Sequence, residues 1–141
     1  MVDDDEAFEM LLPRLIQEAN SPVSFRFVYD GEEAINYLSG IGEFADREKH
    51  PFPKMVLLDL KMPKVNGFEV LEWKQKQPHL AALPVVVWSS SDLPIDKERA
   101  ATLGASDYIV KPMFGHGLVE AIDRIYKSLT EARIRSVQNS H

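Results

Sequence analysis

Two uninterrupted apolar runs, each followed by a polar side chain, constrain the fold of this chain most strongly. They predict strands at 54–60 and 84–88. The first run reaches Asp59 near its end, and the second is followed directly by Ser89. A continuous apolar run of this length is typical of a strand that is covered on both faces. Such strands occur in parallel sheets that lie between two layers of helices.

The rest of the chain alternates strands with helices. Two short β-rich segments predict further strands, at 24–28 and 107–110. Helical spacing of apolar residues, with Asp30 as an N-cap and Pro94 in a first turn, predicts helices at about 6–20, 31–38, 66–76, 94–104 and 116–134. This alternation implies βαβ units and an α/β fold. Residues 40–53 are expected to form a long loop.

The composition and charge of the chain exclude or disfavour several classes of protein. The 141 residues predict one domain, and 45% hydrophobic content is enough for an ordinary core. The absence of cysteine excludes a disulfide scaffold, a thiolate metal site and a cysteine nucleophile. A net charge of −6 disfavours nucleic acid as a partner. No run is long enough to span a membrane, and the acidic N-terminus is unlike a secretory signal, so a cytoplasmic location is expected. The four histidines lack metal-ligand spacing and are interpreted as surface residues.

Polar residues follow four of the apolar segments. Acids follow Val2, Asp59 ends the run after Leu58, three serines follow Trp88, and Lys111 follows the strand at 107–110. Ligands of open parallel sheets bind beyond the carboxyl ends of the strands. Carboxylates that cluster there repel one another unless a cation intervenes, and a hard ion such as Mg²⁺ accepts their oxygens. The pattern favours a site for phosphoryl transfer.

These strand ends resemble the receiver domain of a bacterial two-component response regulator. The resemblance rests on the acidic pair Asp3-Asp4, on LLDLKMP with Asp59, on Gly67, on VVVWSSSD and on YIVKP with Lys111. It covers about residues 2–127. It implies a flavodoxin-like (βα)5 fold, a doubly wound parallel five-stranded sheet in the order 2-1-3-4-5, with the first strand truncated. The receiver domain is expected at 1–129, followed by a helix end and polar tail at 130–141.

The resemblance also implies a role for each residue at the strand ends. Asp59 is the implied phospho-acceptor, whose carboxylate attacks phosphorus to give an acyl phosphate. The implied ligands of Mg²⁺ are Asp3, Asp4, Asp59 and the backbone carbonyl of Lys61. The implied phosphate-binding and switch residues are Ser89, Ser90, Lys111 and Tyr108. Trp88 occupies a position where smaller aliphatic residues are common in the family, and it is expected near the active end of the sheet.

The implied function is phosphorelay signal transduction. The expected phosphodonor is a sensor histidine kinase, and GEFADREKHPFPK resembles a subgroup associated with bacterial phytochromes. No output domain is expected, so the signal is a binding event, with homodimerisation through 94–127 as one form. Neither nucleic acid nor membrane is an expected partner. The only expected catalysis is self-phosphorylation and self-dephosphorylation.

Each assignment has a plainer alternative. Asp3, Asp4 and the next two acids can cap the first helix, since acids favour the positive end of its dipole. The serines can form only a turn, and Tyr108 can be a core aromatic with its hydroxyl at the surface. A Mg²⁺-dependent phosphohydrolase with an aspartyl phosphate is the alternative function, but Lys61 stands where that class has its second acid. A nucleotide-binding module requires a Gly-rich turn where this chain has DDDEAF.

The first strand departs from the family pattern. Only Met1 and Val2 precede the acids, whereas strands usually have about five to six residues. We expect that the chain is clipped or starts late, and that a longer first strand makes the domain more stable. A segment from another copy is the alternative occupant of the vacant strand position.

Overall fold

A parallel sheet forms the centre of the molecule. The computed structural model describes residues 1–3, 5–18, 20, 24–62, 65–111, 119–125, 127–128 and 131. Its strands, in hydrogen-bonded order, are β1 (Val56–Leu58), β2 (Val85–Ser89) and β3 (Asp107–Val110). All pairs are parallel, with Val56 opposite Val85 and Val87 opposite Tyr108.

Val2 extends this sheet beyond β1. It forms one parallel bridge to Leu58 and another, on its other side, to Val28. The spatial order is therefore Val28, Val2, β1, β2, β3, which confirms the predicted order 2-1-3-4-5 and the truncated first strand. The sheet is the doubly wound type that the sequence predicts.

The predicted strand at 24–28 is wrong in length. Residues 24–27 are not part of a strand, and Val28 makes only a single bridge. Its amide donates to the Met1 carbonyl over 2.9 Å, and its carbonyl accepts from the Asp3 amide over 3.0 Å. The Met1 amino group also donates to the Arg26 carbonyl over 2.6 Å. Because so short a neighbour offers few backbone groups, residues 24–27 do not form a strand.

Helices connect and cover the strands. They are α1 (Glu6–Glu18), α2 (Gly31–Ser39), α3 (Gly67–Gln75) and α4 (Pro94–Thr102), and residues 119–125 are also helical. These helices confirm the predictions within a few residues at their ends, and α1 continues through Pro13. The last predicted helix, 116–134, lies partly outside the described residues. Within the described part of the chain, no helix has the length and apolar character that a membrane crossing requires.

The starts of α2 and α3 have side-chain caps. Asp30 Oδ1 accepts the Glu33 amide over 2.8 Å, and Asn66 Oδ1 accepts the Glu69 amide over 3.0 Å. Each cap satisfies an amide that has no partner within the helix. In a capping box, Glu33 would accept the amide of the N-cap residue Asp30. Its carboxylate instead accepts the Tyr29 amide, one residue earlier, over 2.8 Å.

Two apolar cores lie on opposite faces of the sheet. Because side chains alternate along a strand, Val85 and Val87 pack with α2 and α3, while Val86 and Trp88 pack on the other face. Ile122 belongs to that second core. Burial on both faces explains why β1 and β2 are apolar at every position up to their polar ends.

The 40–53 segment is organised around Arg47 rather than being an open loop. A short 3-10 turn (Gly42–Phe44) buries Phe44. The Arg47 guanidinium donates to the Tyr37 carbonyl over 2.8 Å and to the Leu38 carbonyl over 3.2 Å, at the end of α2. His50 is half-buried and packs edge-on against the rings of Tyr37 and Phe44, so its interpretation as a surface residue was wrong.

A largely apolar groove of about 540 Å³ lies beside Met1. Its lining includes Phe25, Tyr37, Met55 and Ile122. The groove lies between residues 24–28 and the start of β1, which is the position that a longer first strand would fill.

We therefore expect that four apolar residues added before Met1 stabilise the domain. They would pair with both neighbouring backbones and bury side chains in the groove, raising Tm by roughly 5 °C. Thermal unfolding followed by circular dichroism measures the change. An added Gly-Ser segment of equal length is the matched control, and a Tm that is equal in both extended proteins contradicts the expectation.

Candidate active site

Three charged side chains from distant parts of the chain meet at the carboxyl edge of the sheet. Asp3 follows the Val2 bridge, Asp59 follows β1 and Lys111 follows β3. The Lys111 ammonium lies 3.0 Å from Asp3 Oδ2 and 3.3 Å from Asp59 Oδ2. Parallel strands bring their carboxyl ends to one edge, which explains the convergence.

Asp59 is buried, with 5% of its surface exposed. Its Oδ1 accepts the Lys61 amide over 3.1 Å, and its Oδ2 accepts from Lys111. Burial raises the pKa of Asp59 above its ordinary value, and the nearby Asp3 adds to the increase, while the Lys61 amide and Lys111 oppose it. A carboxylate in this setting gains more from a cation or a charge-neutralising ligand than a solvated one does.

Asp3 is the most deeply buried acid among the described residues, at 1% exposure. Its Oδ1 accepts the Asp5 amide over 3.1 Å. Its Oδ2 accepts both the Lys111 ammonium and the indole N–H of Trp88, the latter over 3.1 Å. The carboxylate therefore has donors on both oxygens, one of them cationic.

The turn from Asp59 to α3 is held by close backbone packing. A Cβ on Gly67 would lie 2.4 Å from the Asp59 carbonyl oxygen, and the Gly67 amide donates to the Leu60 carbonyl over 3.1 Å. No larger residue fits at this position without moving the backbone. Glycine at this position thus allows α3 to begin directly against Asp59, the residue that follows β1.

Ser89 lies at the same edge and is fully buried. Its hydroxyl oxygen accepts the Ser91 amide over 3.1 Å, and its carbonyl accepts the Lys111 amide over 2.6 Å. The second bond continues the β2–β3 pairing and places Lys111 beside Ser89. Ser90 is exposed.

Ser91 connects this edge to α4 and was missed by the sequence reasoning. Its hydroxyl donates to Asp96 Oδ2 over 2.5 Å and accepts the Leu93 amide over 3.3 Å. Its carbonyl accepts the Tyr108 hydroxyl over 2.8 Å. The available signal was a third serine two residues before Leu93, since a serine hydroxyl can accept the amide two residues farther along the chain.

Tyr108 and Lys61 complete the predicted site residues that the structure describes. Tyr108 is half-buried, with its hydroxyl on the Ser91 carbonyl. Lys61 is exposed as a residue, and its amide contacts Asp59. Asp4 lies outside the described residues. Over the described ranges, no three acids or histidines form a cluster that is suited to a metal ion.

Comparison with known proteins identifies the family. Residues 1–123 match the profile of the response regulator receiver domain. The chain belongs to this family. Its fold and its place in two-component signalling follow from that membership.

Curated relatives agree with this assignment. The receiver domain is 34% identical over 125 residues to the probable methanogenesis regulatory protein FilR2 of Methanothrix harundinacea, covering 89% of this chain and 78% of the relative. It is 32% identical over 111 residues to the response regulator protein GraR of Staphylococcus saprophyticus, covering 73% of this chain. The match spans only 48% of GraR, about half its length.

Solved structures of response regulators are similar to most of this chain. RPA3017, from red light signalling of R. palustris, has a TM-score of 0.79 at 32% identity, covering 89% of this chain and 88% of that one. The bacteriophytochrome response regulator RtBRR has a TM-score of 0.73 at 35% identity, covering 88% and 74%. The Mn²⁺-bound form of response regulator Rcp1 has a TM-score of 0.63 at 29% identity, covering 91% and 85%.

The raised pKa of Asp59 has a measurable consequence for the stability of the receiver domain. The Asp59 carboxyl holds its proton more tightly in the folded protein than in the unfolded chain. The stability that this tighter proton binding contributes is lost as the pH rises from the pKa of Asp59 in the unfolded chain through its pKa in the folded protein. Asparagine does not ionise. We expect Asp59→Asn to have a larger free energy of unfolding than the wild type at about pH 7, with the difference shrinking towards about pH 4.

Denaturant unfolding at several pH values without divalent cations measures this difference. Glu98→Gln, which removes an exposed acid of α4, is the matched control and should show no comparable gain. An Asp59→Asn variant that is less stable than the wild type at neutral pH contradicts the expectation.

Proposed function

We propose that Asp59 accepts a phosphoryl group from a sensor histidine kinase and that the phosphorylated domain signals by binding another protein. The observation that carries the proposal is the buried Asp59 carboxylate at the sheet edge, 3.3 Å from the Lys111 ammonium and beside a second buried acid. Structural or capping acids do not need burial with a shared lysine, since exposed positions serve those purposes at lower cost.

The proposed reaction is a displacement at phosphorus. A carboxylate oxygen of Asp59 forms a new P–O bond while the P–N bond of the kinase phosphohistidine breaks, and the imidazole takes up a proton. Lys111 then turns from Asp59 to a phosphoryl oxygen, which keeps its positive charge paired. Ser89 donates its hydroxyl to another phosphoryl oxygen.

A Mg²⁺ ion fits the chemistry of this donor set. Buried carboxylates of Asp3 and Asp59 carry two negative charges against one ammonium, and hard oxygen donors are what Mg²⁺ accepts. The proposed ligands are Asp3, Asp4, Asp59 and the carbonyl of Lys61. When bound, the ion neutralises charge on the transferring phosphoryl oxygens. The Mn²⁺-bound Rcp1 relative supports a divalent cation in this family.

The route from the pocket to the surface is proposed from the contacts of Ser91. Phosphorylation adds about −1.5 to −2 charge beside Ser89. When the Ser89 hydroxyl turns to the phosphoryl group, it releases the Ser91 amide, and Ser91 contacts both Tyr108 and Asp96 of α4. The loop and the tyrosine thereby change together, which alters the α4 face.

The proposed partners follow from the family and the location of this face. A histidine kinase donates the phosphoryl group, and the resemblance to RtBRR favours a phytochrome-type kinase. Within residues 94–127 the surface includes the exposed Ile95, beside the exposed Leu93, which suits contact with another protein or a second copy. We propose a cytoplasmic protein that does not act on nucleic acid, on membranes or on substrates other than its own aspartate.

Incubation with Mg²⁺ and acetyl phosphate, followed by intact mass measurement, tests the proposal. We expect the wild type to gain one phosphoryl group that is lost on standing, because acyl phosphates hydrolyse. Asp59→Asn should gain none, since the amide is not a nucleophile. Asp96→Asn is the matched control and should still be phosphorylated.

Two results would overturn the proposed function. One is a phosphoryl group that persists in Asp59→Asn, which would place the acceptor elsewhere. The other is sustained turnover of unrelated phosphomonoesters, which would identify a phosphohydrolase instead.

A further inference from the structure

Trp88 contacts the pocket in two ways, although it lies within an apolar strand. Its indole N–H donates to Asp3 Oδ2 over 3.1 Å, and the Lys111 ammonium lies 5.2 Å from its ring centroid. The side chain is only 4% exposed. Because both partners are charged groups of the pocket, the ring does more than fill the core.

The two donors that share Asp3 Oδ2 differ in how firmly they are held. Lys111 has a flexible side chain, divides its charge between Asp3 and Asp59, and pairs with the phosphoryl group in the proposed reaction. Trp88 is fixed by β2, where it lies opposite Ile109, and by the buried core cluster that also contains Ile122. The indole therefore stays in place when Lys111 leaves.

The two donors also differ in charge. The ammonium of Lys111 cancels the negative charge of Asp3 while it is bound. The indole N–H is a neutral donor that holds the carboxylate and leaves its charge available to a cation. A rigid ring that donates one hydrogen bond thus orients Asp3 without competing electrostatically for a metal ion.

We propose that Trp88 is a positioning residue, which holds the Asp3 carboxylate in the pocket and thereby strengthens the binding of Mg²⁺. This inference rests on the proposed function in that Asp3 contributes to the Mg²⁺ site. The ring orients an acid in advance, so less order is lost when the cation binds.

Two replacements separate this role from core filling. Trp88→Phe keeps an apolar ring but removes the N–H. Incorporation of 3-benzothienylalanine at position 88 keeps the bicyclic shape and replaces the N–H by sulfur, so it tests the hydrogen bond even if Trp88→Phe folds poorly. Trp73→Phe is the matched control, because Trp73 is half-buried against the core on the opposite face of the sheet.

Mg²⁺ affinity measured by calorimetry is the first readout. Both replacements at position 88 should raise the Mg²⁺ Kd by about 3- to 10-fold, the factor that corresponds to one hydrogen bond of ordinary net strength. Trp73→Phe should leave the Kd within the error of the wild type. In phosphorylation by acetyl phosphate, the defect of the position-88 variants should shrink as the Mg²⁺ concentration rises.

A second readout needs no metal. In the metal-free wild type, the indole proton of Trp88 should exchange with solvent more slowly than that of Trp73. Asp3→Ala should shift the Trp88 indole resonance and accelerate its exchange, while the Trp73 resonance should stay in place.

The outcomes distinguish this inference from the proposed function. An unchanged or tighter Mg²⁺ Kd in the benzothienyl protein overturns the positioning role, even if the wild type is phosphorylated normally. A wild type that binds Mg²⁺ in a Trp88-dependent way but takes up no phosphoryl group overturns the proposed function alone. A wild type that does not bind Mg²⁺ overturns the positioning role.

Discussion

The burial of two carboxylates against one ammonium is the interaction on which the site depends. Asp3 and Asp59 are removed from water at the carboxyl edge of the sheet, and Lys111 is shared between them at 3.0 and 3.3 Å. Burial raises the pKa of Asp59, and the neighbouring Asp3 adds to the increase, because one positive charge does not balance two negative ones. This imbalance is the physical basis of the proposed Mg²⁺ site.

The backbone supplies what that arrangement requires. Parallel pairing in the order Val28, Val2, β1, β2, β3 sets the three charged residues next to one another. The Lys111 amide bonds to the Ser89 carbonyl, which keeps the backbones of these two residues side by side. From Ser89, contacts through Ser91 reach Tyr108 and Asp96, which joins the charged edge to a surface helix.

Much of the fold was predictable because its signals are local. The strand at 107–110 matches β3, and the predicted cap Asp30 starts α2, since apolar periodicity and capping depend on neighbours in the chain. The prediction of a strand at 24–28 was wrong because a strand needs a partner, and only Met1 and Val2 precede the acids. The prediction that His50 is a surface residue was wrong for a similar reason, since its aromatic neighbours come from α2 and the 3-10 turn.

The sequence by itself determined which chemical groups follow each strand, because an acid, hydroxyl or lysine after an apolar run is visible without coordinates. The tertiary structure decided how those groups are shared: that Lys111 bridges Asp3 and Asp59, that Trp88 donates to Asp3, and that Ser91 connects Ser89 with Tyr108. Trp88 and Asp3 are separated by 85 residues. A hydrogen bond depends on distance and direction between atoms, and only the packing of the folded chain sets these for residues so far apart.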